Sequence, residues 1–380
     1  MLQIATALVV AGFYFWKNYS YNAIEIRAGI LKQKIKSGNR SSYIAILLLV
    51  LFAGLRAETV GYDVANYRAN FDILARRHKW SAGHDFEFGF QIITYLISFV
   101  FRGSFGFSLT MIVYEIIIVM CVDYATKKLT KNNTLAMFIF ITVDSYFRGF
   151  GQIRQMIAVS ILMVAFVFAK EKNLLKYAAS CLIASMFHKV ALILLPLYFL
   201  FSINFKYYLH YILIILAAII FCVFNGAIIK LISIVLNVDF YDKYILTNYG
   251  IMDFSLIGYL EVIAYTSLFA FLLIYKIIYE KRNGKIKNNN YRIFLDLFFC
   301  SVIFLIVSLA MQRPEHYGRL AYYFFWSLIF LVPAFLDTIK NKKVKIFFTI
   351  CVVCVAVMYL YFSINVINAY GVANYLTFFE

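Results

Sequence analysis

Long, uninterrupted apolar runs separated by short polar segments dominate the sequence. Most runs are about 15–23 residues long, which is the length that an α-helix needs to cross a bilayer. The runs are continuously apolar rather than alternating, so the pattern predicts helices and not the strands of a barrel. Because backbone groups in lipid must bond to one another, a bundle of transmembrane helices is the predicted fold.

The polar segments predict how the chain is threaded through the membrane. Lys and Arg are concentrated in a subset of them, which the positive-inside rule assigns to the cytoplasm. These basic segments are 17–40, 127–131, 170–176, 276–292 and 340–345. Only one net crossing then fits between residues 85 and 126, so either run 88–101 or run 105–122 is predicted to be re-entrant. The other predicted spans are 1–16, 42–55, 134–147, 153–169, 174–187, 190–203, 208–224, 254–275, 293–311, 319–337 and 346–364, with a short interfacial helix at 226–236.

Composition agrees with an all-α, polytopic transmembrane bundle of about 12 spans. The chain is 63% hydrophobic and 14% charged, with a mean hydropathy of +0.80. We predict a single integral membrane domain over 1–380, with larger extracytoplasmic segments at 56–86 and 225–253. The net charge of +17 does not indicate nucleic-acid binding, because the basic residues lie between apolar runs rather than in a soluble domain.

The first large outer segment carries groups suited to acid–base chemistry. Arg56 precedes the motif GYDVANY, in which Asp63 and Tyr67 are four residues apart and would share one face of a helix. A carboxylate beside a phenol can bind sugar hydroxyls or exchange protons with them. Glu87, at the start of the next apolar run, is a second candidate carboxylate. The alternative is an ordinary polar loop with solvated charges.

A second candidate is the junction RGFGQIRQ, which is predicted at the outer face. Arg154 and Gln155 begin an apolar run there, where helix N-terminal amides attract anions. Arginine binds phosphate oxygens bidentately, so Arg148, Arg154 and Gln155 are candidate phosphate ligands. The alternative is that the arginines extend to lipid headgroups.

His188 and Lys189 lie between two later apolar runs. The histidine could donate to a phosphate or relay a proton, and the alternative is a buried structural histidine. Lys189 is a candidate phosphate ligand or a headgroup anchor.

The motif MQRPEHYGRLAYYF supplies the third candidate cluster. Arg319, Tyr322 and Tyr323 have helical spacing, so one face would present a cation beside phenols. That arrangement suits a diphosphate next to sugar rings. Arg313 and His316 are further candidates, with an interfacial loop as the alternative.

Other chemistries lack a signature. No P-loop, G-x-S-x-G motif, D-x-D pair or zinc motif is present, so we predict neither a metal site nor a cofactor. We also expect no charged residue to be buried in the middle of a span.

Taken in order, several motifs resemble the Wzy-type polysaccharide polymerases, in particular the EpsG family. They are Arg56 with GYDVANY, EFGF at 87–90, Arg154–Gln155 with IAVSI, FHKVALILLP, and the closing RLAYYF. The resemblance implies a GT-C-like enzyme of the bacterial cytoplasmic membrane that joins oligosaccharide repeat units carried on undecaprenyl diphosphate. It implies that the arginines bind the diphosphate, and that an acidic or phenolic residue takes the proton of the acceptor hydroxyl.

The resemblance leaves other functions open. Expected partners are the lipid-linked oligosaccharide and membrane lipids, and the candidate partner proteins are a chain-length regulator and a flippase. An O-antigen ligase would use the same donor with another acceptor. An O-acyltransferase predicts a histidine paired with an acid, and a flippase predicts internal repeats; the sequence shows neither.

Overall fold

A computed structural model describes most of the chain. The described residues are 5, 6, 9, 10, 12, 38–78, 80, 86–202, 209–236, 255–284, 286, 289–313 and 317–379. They form an all-helical protein, and within them the only strand-like pairing is an isolated bridge between Arg56 and Thr377. The predicted span 1–16, the basic segment 17–40 and the end of segment 225–253 lie wholly or largely outside the described residues.

The helices follow the apolar runs of the sequence. They are α1 Gly38–Gly54, α2 Val64–Arg77, α3 Phe88–Val100, α4 Gly103–Leu129, α5 Asn133–Thr142, α6 Ser145–Gly151, α7 Ile153–Lys170, α8 Leu174–Ser185, α9 Leu197–Ser202, α10 Leu209–Leu236, α11 Leu256–Asn283, α12 Asn289–Ala310, α13 Arg319–Phe325, α14 Leu328–Thr338 and α15 Lys342–Tyr361. A 3-10 helix covers Lys189–Leu194 and a π-helical turn covers Phe362–Val366.

Six segments among the described residues are long and apolar enough to cross a membrane. They are Gly103–Leu129, Ile153–Lys170, Leu256–Asn283, Asn290–Ala310, Arg319–Thr338 and Lys342–Val366. The chain is therefore an integral membrane protein. The other apolar helices are shorter; for example, α3 has 13 residues and a length of about 20 Å, less than a hydrocarbon core of about 30 Å.

Three predicted spans are broken in the structure. The predicted span 134–147 is α5 and α6, separated at Asp144, whose φ of 61° is left-handed. The predicted span 190–203 is a 3-10 helix followed by α9, and the predicted span 319–337 is α13 and α14. In contrast, the predicted helix 226–236 is confirmed as the end of α10, beyond a non-helical Phe224.

The chain forms two compact units. The first unit comprises Met1–Tyr198 and Ile339–Glu380, and the second comprises Phe199–Thr338. In the first unit, α4 is central: it packs against α1, α3 and α7, and α7 packs against α8. In the second unit, α12 packs against α11, α13 and α14.

The expectation that no charged residue is buried within a span was wrong. Glu115 lies near the middle of α4, a 27-residue helix, and is 1% exposed. Burying a carboxylate in an apolar bundle is costly unless it is paired, and its partner is Arg56.

Candidate functional site

An ion pair between Arg154 and Glu87 joins the start of α7 to the start of α3. Nη1 of Arg154 lies 2.5 Å from Oε2 of Glu87, and the two side chains are 22% and 11% exposed. The guanidinium lies over the Phe86 ring, 4.4 Å from its centroid, and 6.0 Å from that of Tyr67. Nε of Arg154 is buried without a hydrogen-bond partner. The pair is thus partly accessible, and the guanidinium keeps donor capacity.

The end of α8 contributes to the same place. The second oxygen of Glu87, Oε1, accepts a hydrogen bond of 3.4 Å from the backbone N–H of Lys189. The N–H of Gly89 donates to the carbonyl of Met186 at 2.7 Å, and a Cβ on Gly89 would lie 2.9 Å from that oxygen. A glycine therefore allows α3 to approach α8 closely enough for this contact.

The predicted residues His188 and Lys189 differ in exposure. His188 is half-buried and its backbone N–H donates to the carbonyl of Ala184 at 3.1 Å. The Lys189 side chain is exposed. Lys189 therefore contacts Glu87 through its backbone N–H and not through its ammonium group, and His188 is the preceding residue.

The predicted pair Asp63 and Tyr67 lies at the start of α2. Asp63 is the N-cap residue, and its carbonyl accepts from the N–H of Tyr67 at 3.2 Å. Tyr67 is 3% exposed, packs against the rings of Phe86 and Phe90, and donates a hydrogen bond of 3.4 Å to the carbonyl of Gly151. Tyr67 thus supports the Arg154–Glu87 pair, because its ring packs against Phe86 and lies near the Arg154 guanidinium.

A glycine turn brings this segment to the junction before α7. Gly61 has a φ of 106°, and a Cβ there would lie 2.2 Å from the carbonyl oxygen of Phe150. Only glycine fits this conformation and this spacing. Gln155 follows Arg154 in the first turn of α7 and is 3% exposed.

Arg148 is held by its own helix. Its Nη2 lies 2.7 Å from Oδ2 and 2.8 Å from Oδ1 of Asp144, and its Nη1 donates to Gln152 at 3.4 Å. The Tyr370 hydroxyl also donates to Asp144, and its ring lies 5.9 Å from the guanidinium. The positive charge of Arg148 is therefore already offset.

Arg56 is fully buried. Its Nη1 lies 3.3 Å from Oε1 of Glu115, its Nη2 donates to the Phe150 carbonyl at 3.4 Å, and the guanidinium is 4.7 Å from the Phe150 ring centroid. The Arg56 and Glu115 side chains are 0% and 1% exposed. This arginine fixes the RGFG segment and is closed to ligands in this conformation.

The C-terminal segment covers the same end of the first unit. Main-chain hydrogen bonds join Ala57 to Leu376 at 2.9 Å and Phe378 to Leu55 at 3.0 Å. The Tyr375 ring stacks on Phe52 at 4.4 Å. Segment 368–378 therefore fastens the loop that carries Arg56 and Gly61.

The third predicted cluster belongs to the second unit. Arg319 begins α13 and is half-buried, as are Arg313 and Tyr322. Tyr323 is 1% exposed, and its carbonyl accepts from Trp326 Nε1 at 2.8 Å. Tyr323 is thus part of the core, which leaves Arg313, Arg319 and Tyr322 as the accessible members. His316 lies outside the described residues.

The second unit also contains a histidine–acid pair that the sequence analysis missed. His210 Nε2 lies 3.2 Å from Oδ1 of Asp296, and the Tyr211 hydroxyl donates to the same oxygen at 2.6 Å. The sequence shows no sign of this pair, because its two members are 86 residues apart in the chain.

Four supporting residues of the first unit were also missed. Asp144 could have been inferred from its spacing of four residues to Arg148, and Glu115 from its charge within an apolar run. Phe86 and Tyr370 gave no signal, since aromatic residues are frequent throughout the chain. Within the described part of the chain, no group of three or more His, Cys, Asp or Glu side chains is placed to hold a metal.

Comparison with known proteins identifies the family. The profile of the EpsG family matches residues 40–377, which is nearly the whole chain. Comparisons with curated proteins and with solved structures gave no match. The matched region includes both units and every candidate site residue. The chain is therefore a membrane protein of polysaccharide biosynthesis that belongs to the EpsG family.

Proposed function

We propose that the chain is a glycosyltransferase that polymerises oligosaccharide repeat units carried on undecaprenyl diphosphate, at the outer face of the bacterial cytoplasmic membrane. The observation that supports this proposal most directly is the Arg154–Glu87 pair. The pair joins a cation that is able to bind phosphate to a carboxylate that is able to accept a proton. No other ion pair of the first unit combines partial exposure with partners from distant helices, as far as the described residues go.

The transfer step follows from this arrangement. The acceptor hydroxyl oxygen bonds to the anomeric carbon of the donor, and the bond from that carbon to the diphosphate breaks, with its electron pair leaving on the diphosphate. Arg154 offsets the growing negative charge, and such donors typically contribute about 3–4 kcal/mol. The hydroxyl proton passes to Glu87. Because phosphate oxygens compete with Glu87 for Arg154, donor binding releases the base.

The other candidates have supporting roles in this proposal. Lys189 and His188 lie beside Glu87 and contact the phosphates, and Asp63 and Gln155 lie near the start of α7. Arg56 and Arg148 position the RGFGQIR segment through Glu115 and Asp144. We propose Arg313, Arg319 and Tyr322 as sugar or diphosphate contacts. We also propose that the fold is a GT-C-like bundle of about 12 spans. The proposed partner proteins are a chain-length regulator and a flippase.

Reconstitution tests the proposed function. The purified protein in proteoliposomes is given a lipid-diphosphate-linked repeat unit, and the products are separated by gel electrophoresis. We expect a ladder from the wild type and only single units from Arg154→Ala. Transfer to an unrelated acceptor without a ladder would identify ligase activity instead. Absence of any transfer by the wild type, under conditions in which a known polymerase is active, would refute the proposal.

The His210–Asp296 pair favours a second candidate, acyl transfer to the polysaccharide. A histidine oriented by a carboxylate is a suitable general base for an acyl acceptor hydroxyl. His210→Gln distinguishes the two functions. Loss of acyl groups at normal chain length supports acyl transfer, whereas an unchanged acyl content excludes it.

A further inference from the structure

A cluster of basic residues lies where the ends of α2 and α3 meet the start of α4. We call residues 76–78, 80 and 99–105 the α2–α4 tip. It contains Arg76, Arg77, His78 and Arg102, and Nη2 of Arg102 lies 2.6 Å from Nε2 of His78. Among the described residues, no carboxylate forms an ion pair with these three arginines. The tip therefore carries positive charge that the described protein does not offset.

The histidine is held in a fixed position. Its φ of 47° is left-handed, its N–H donates to the carbonyl of Leu74 at 3.0 Å, and its own carbonyl accepts from the Tyr95 hydroxyl at 3.3 Å. Its ring meets the edge of Phe99, with the centroids 5.3 Å apart. Arg102 can only donate hydrogen bonds, so it donates to Nε2 of His78. The fixed histidine therefore orients the Arg102 guanidinium.

Exposed apolar side chains surround Arg102. Val100 is 67% exposed, Phe101 is 40% exposed and Phe105 is 59% exposed, although they flank a charged residue in the chain. Phe99 is 58% exposed on the same tip, and Trp80, which is 39% exposed, packs beside it along α3 against Tyr95 and Phe88, with ring centroids 5.9 and 5.4 Å away. Aromatic rings next to an arginine are typical of the boundary between hydrocarbon and headgroups.

Helix length supports this position in the membrane. From residue 102 to residue 127, α4 rises by about 38 Å, which is the hydrocarbon core of about 30 Å plus a few ångströms at each end. Lys127 and Lys128 lie in the last turn of α4 and mark one boundary. Arg102 therefore lies at the opposite boundary, at the level of lipid phosphates. Glu115, which pairs with Arg56, is about 20 Å deeper along α4.

We propose that the α2–α4 tip binds the headgroup of an anionic phospholipid, with Arg102 donating to the phosphate and the exposed rings contacting the upper acyl chain. Charge complementarity selects this occupant, because a zwitterionic lipid would leave the positive charge of the tip unbalanced. The bound lipid would hold α2 and α3 together at the end remote from Arg154. This site is separate from the Arg154–Glu87 pair and does not depend on glycosyl transfer.

Trp80 provides a direct test. The experiment uses a Trp16→Phe variant, which leaves two tryptophans. Trp326 is 1% exposed and is shielded from lipid, so Trp80 reports on lipid contact. The protein is placed in nanodiscs that contain brominated phosphatidylglycerol or brominated phosphatidylcholine at the same mole fraction. We expect phosphatidylglycerol to quench Trp80 more strongly. Arg102→Gln should reduce the preference about fivefold, the usual contribution of one basic residue near an anionic surface.

Controls make the result specific. Arg102→Lys keeps the charge and should retain most of the preference, whereas Lys128→Gln, at the other end of α4, should retain all of it. Equal quenching by the two lipids in the wild type would overturn the proposal. Loss of quenching on addition of inorganic phosphate would show a site for free anions and would also overturn it. Because no sugar transfer is measured, failure here leaves the proposed enzyme activity untouched.

Discussion

Arg154 contacts Glu87, which is 67 residues earlier in the chain, whereas Arg148 is bound by Asp144 one helical turn away. The difference matters because a partner four residues away on the same helix stays close through any movement of helices. Glu87 lies at the N-terminus of another helix, so a relative movement of the two helices can open the Arg154 pair. This contrast is why we propose ligand binding at Arg154 rather than at Arg148.

The first prediction concerns the role of Glu87. Glu87→Gln preserves the shape of the side chain but removes the proton acceptor. We expect transfer to fall about 10²–10⁴-fold, while binding of the lipid-linked donor is retained, because Arg154 no longer has a competing carboxylate. Single-turnover rates and donor affinity, measured separately in proteoliposomes, check both parts.

Asp72→Asn is the matched control for this variant. Asp72 pairs with Arg68 at 3.0 Å on the outer side of α2, so its loss should leave transfer unchanged. If Glu87→Gln transferred sugar at the wild-type rate, the carboxylate would not be the base.

The second prediction concerns the buried pair of Arg56 and Glu115. Glu115→Ala leaves a buried guanidinium without its counter-ion and should destabilise the first unit by about 3–5 kcal/mol. The double variant Arg56→Met with Glu115→Leu removes both charges and should recover much of this loss. Thermal unfolding in detergent gives the comparison. Lys127→Ala, which breaks a half-exposed pair with Asp123, should cost less than about 1 kcal/mol.

The third prediction concerns Tyr370, whose hydroxyl donates to Asp144. Tyr370→Phe should destabilise the protein by about 1.5–3 kcal/mol, the range for hydrogen bonds to charged groups. Tyr361→Phe, at an exposed position, is the control. An equal effect of both variants would contradict the role of this hydrogen bond.

The same residue predicts a pH dependence. Burial, and then the neighbouring carboxylate of Asp144, raises the pKa of the Tyr370 phenol well above its ordinary value. The folded protein therefore keeps the phenol protonated when the unfolded chain begins to ionise, near pH 10. Its contribution to stability is complete below that pH and is lost as the pH rises further. The stability gap between wild type and Tyr370→Phe should narrow above about pH 10.

The fourth prediction concerns topology. In a variant without cysteines, Arg77→Cys, in the last turn of α2, should react with a membrane-impermeant maleimide added to intact cells. Lys281→Cys, in the last turn of α11, should react only after the cells are permeabilised. Both positions are exposed. The reverse pattern would invert the assignment of the Arg154 side to the outer face.

The sequence alone predicted the helical class, the positions of most helices and the family. Continuous apolar runs determine helix boundaries well; α7, for example, was expected at 153–169 and covers Ile153–Lys170. Breaks were harder to predict. Asp144 adopts a left-handed conformation, and its carboxylate binds Arg148 and Tyr370; the contact with Tyr370, 226 residues away, is not visible in the local pattern.

The candidate site was predicted as a set of residues but not as a set of pairs. Arg56, Arg148 and Arg154 look alike in the sequence, since each borders an apolar run. Their partners decide their roles, and these come from another helix for Arg56 and Arg154 and from the same helix for Arg148. Such pairings depend on tertiary packing, which hydrophobic periodicity does not encode.

The contact between segment 368–378 and the loop after α1 has a consequence for biogenesis. The ribosome makes that loop long before the backbone segment that secures it, around Leu376 and Phe378. The loop after α1 can form these hydrogen bonds only after α15 has been inserted into the bilayer. Until then, the loop that carries Arg56 lacks these hydrogen bonds and is open to proteases in every nascent chain. A chain that stalls before α15 would contain Arg56, Glu87 and Arg154 but would lack the segment that holds the loop in place.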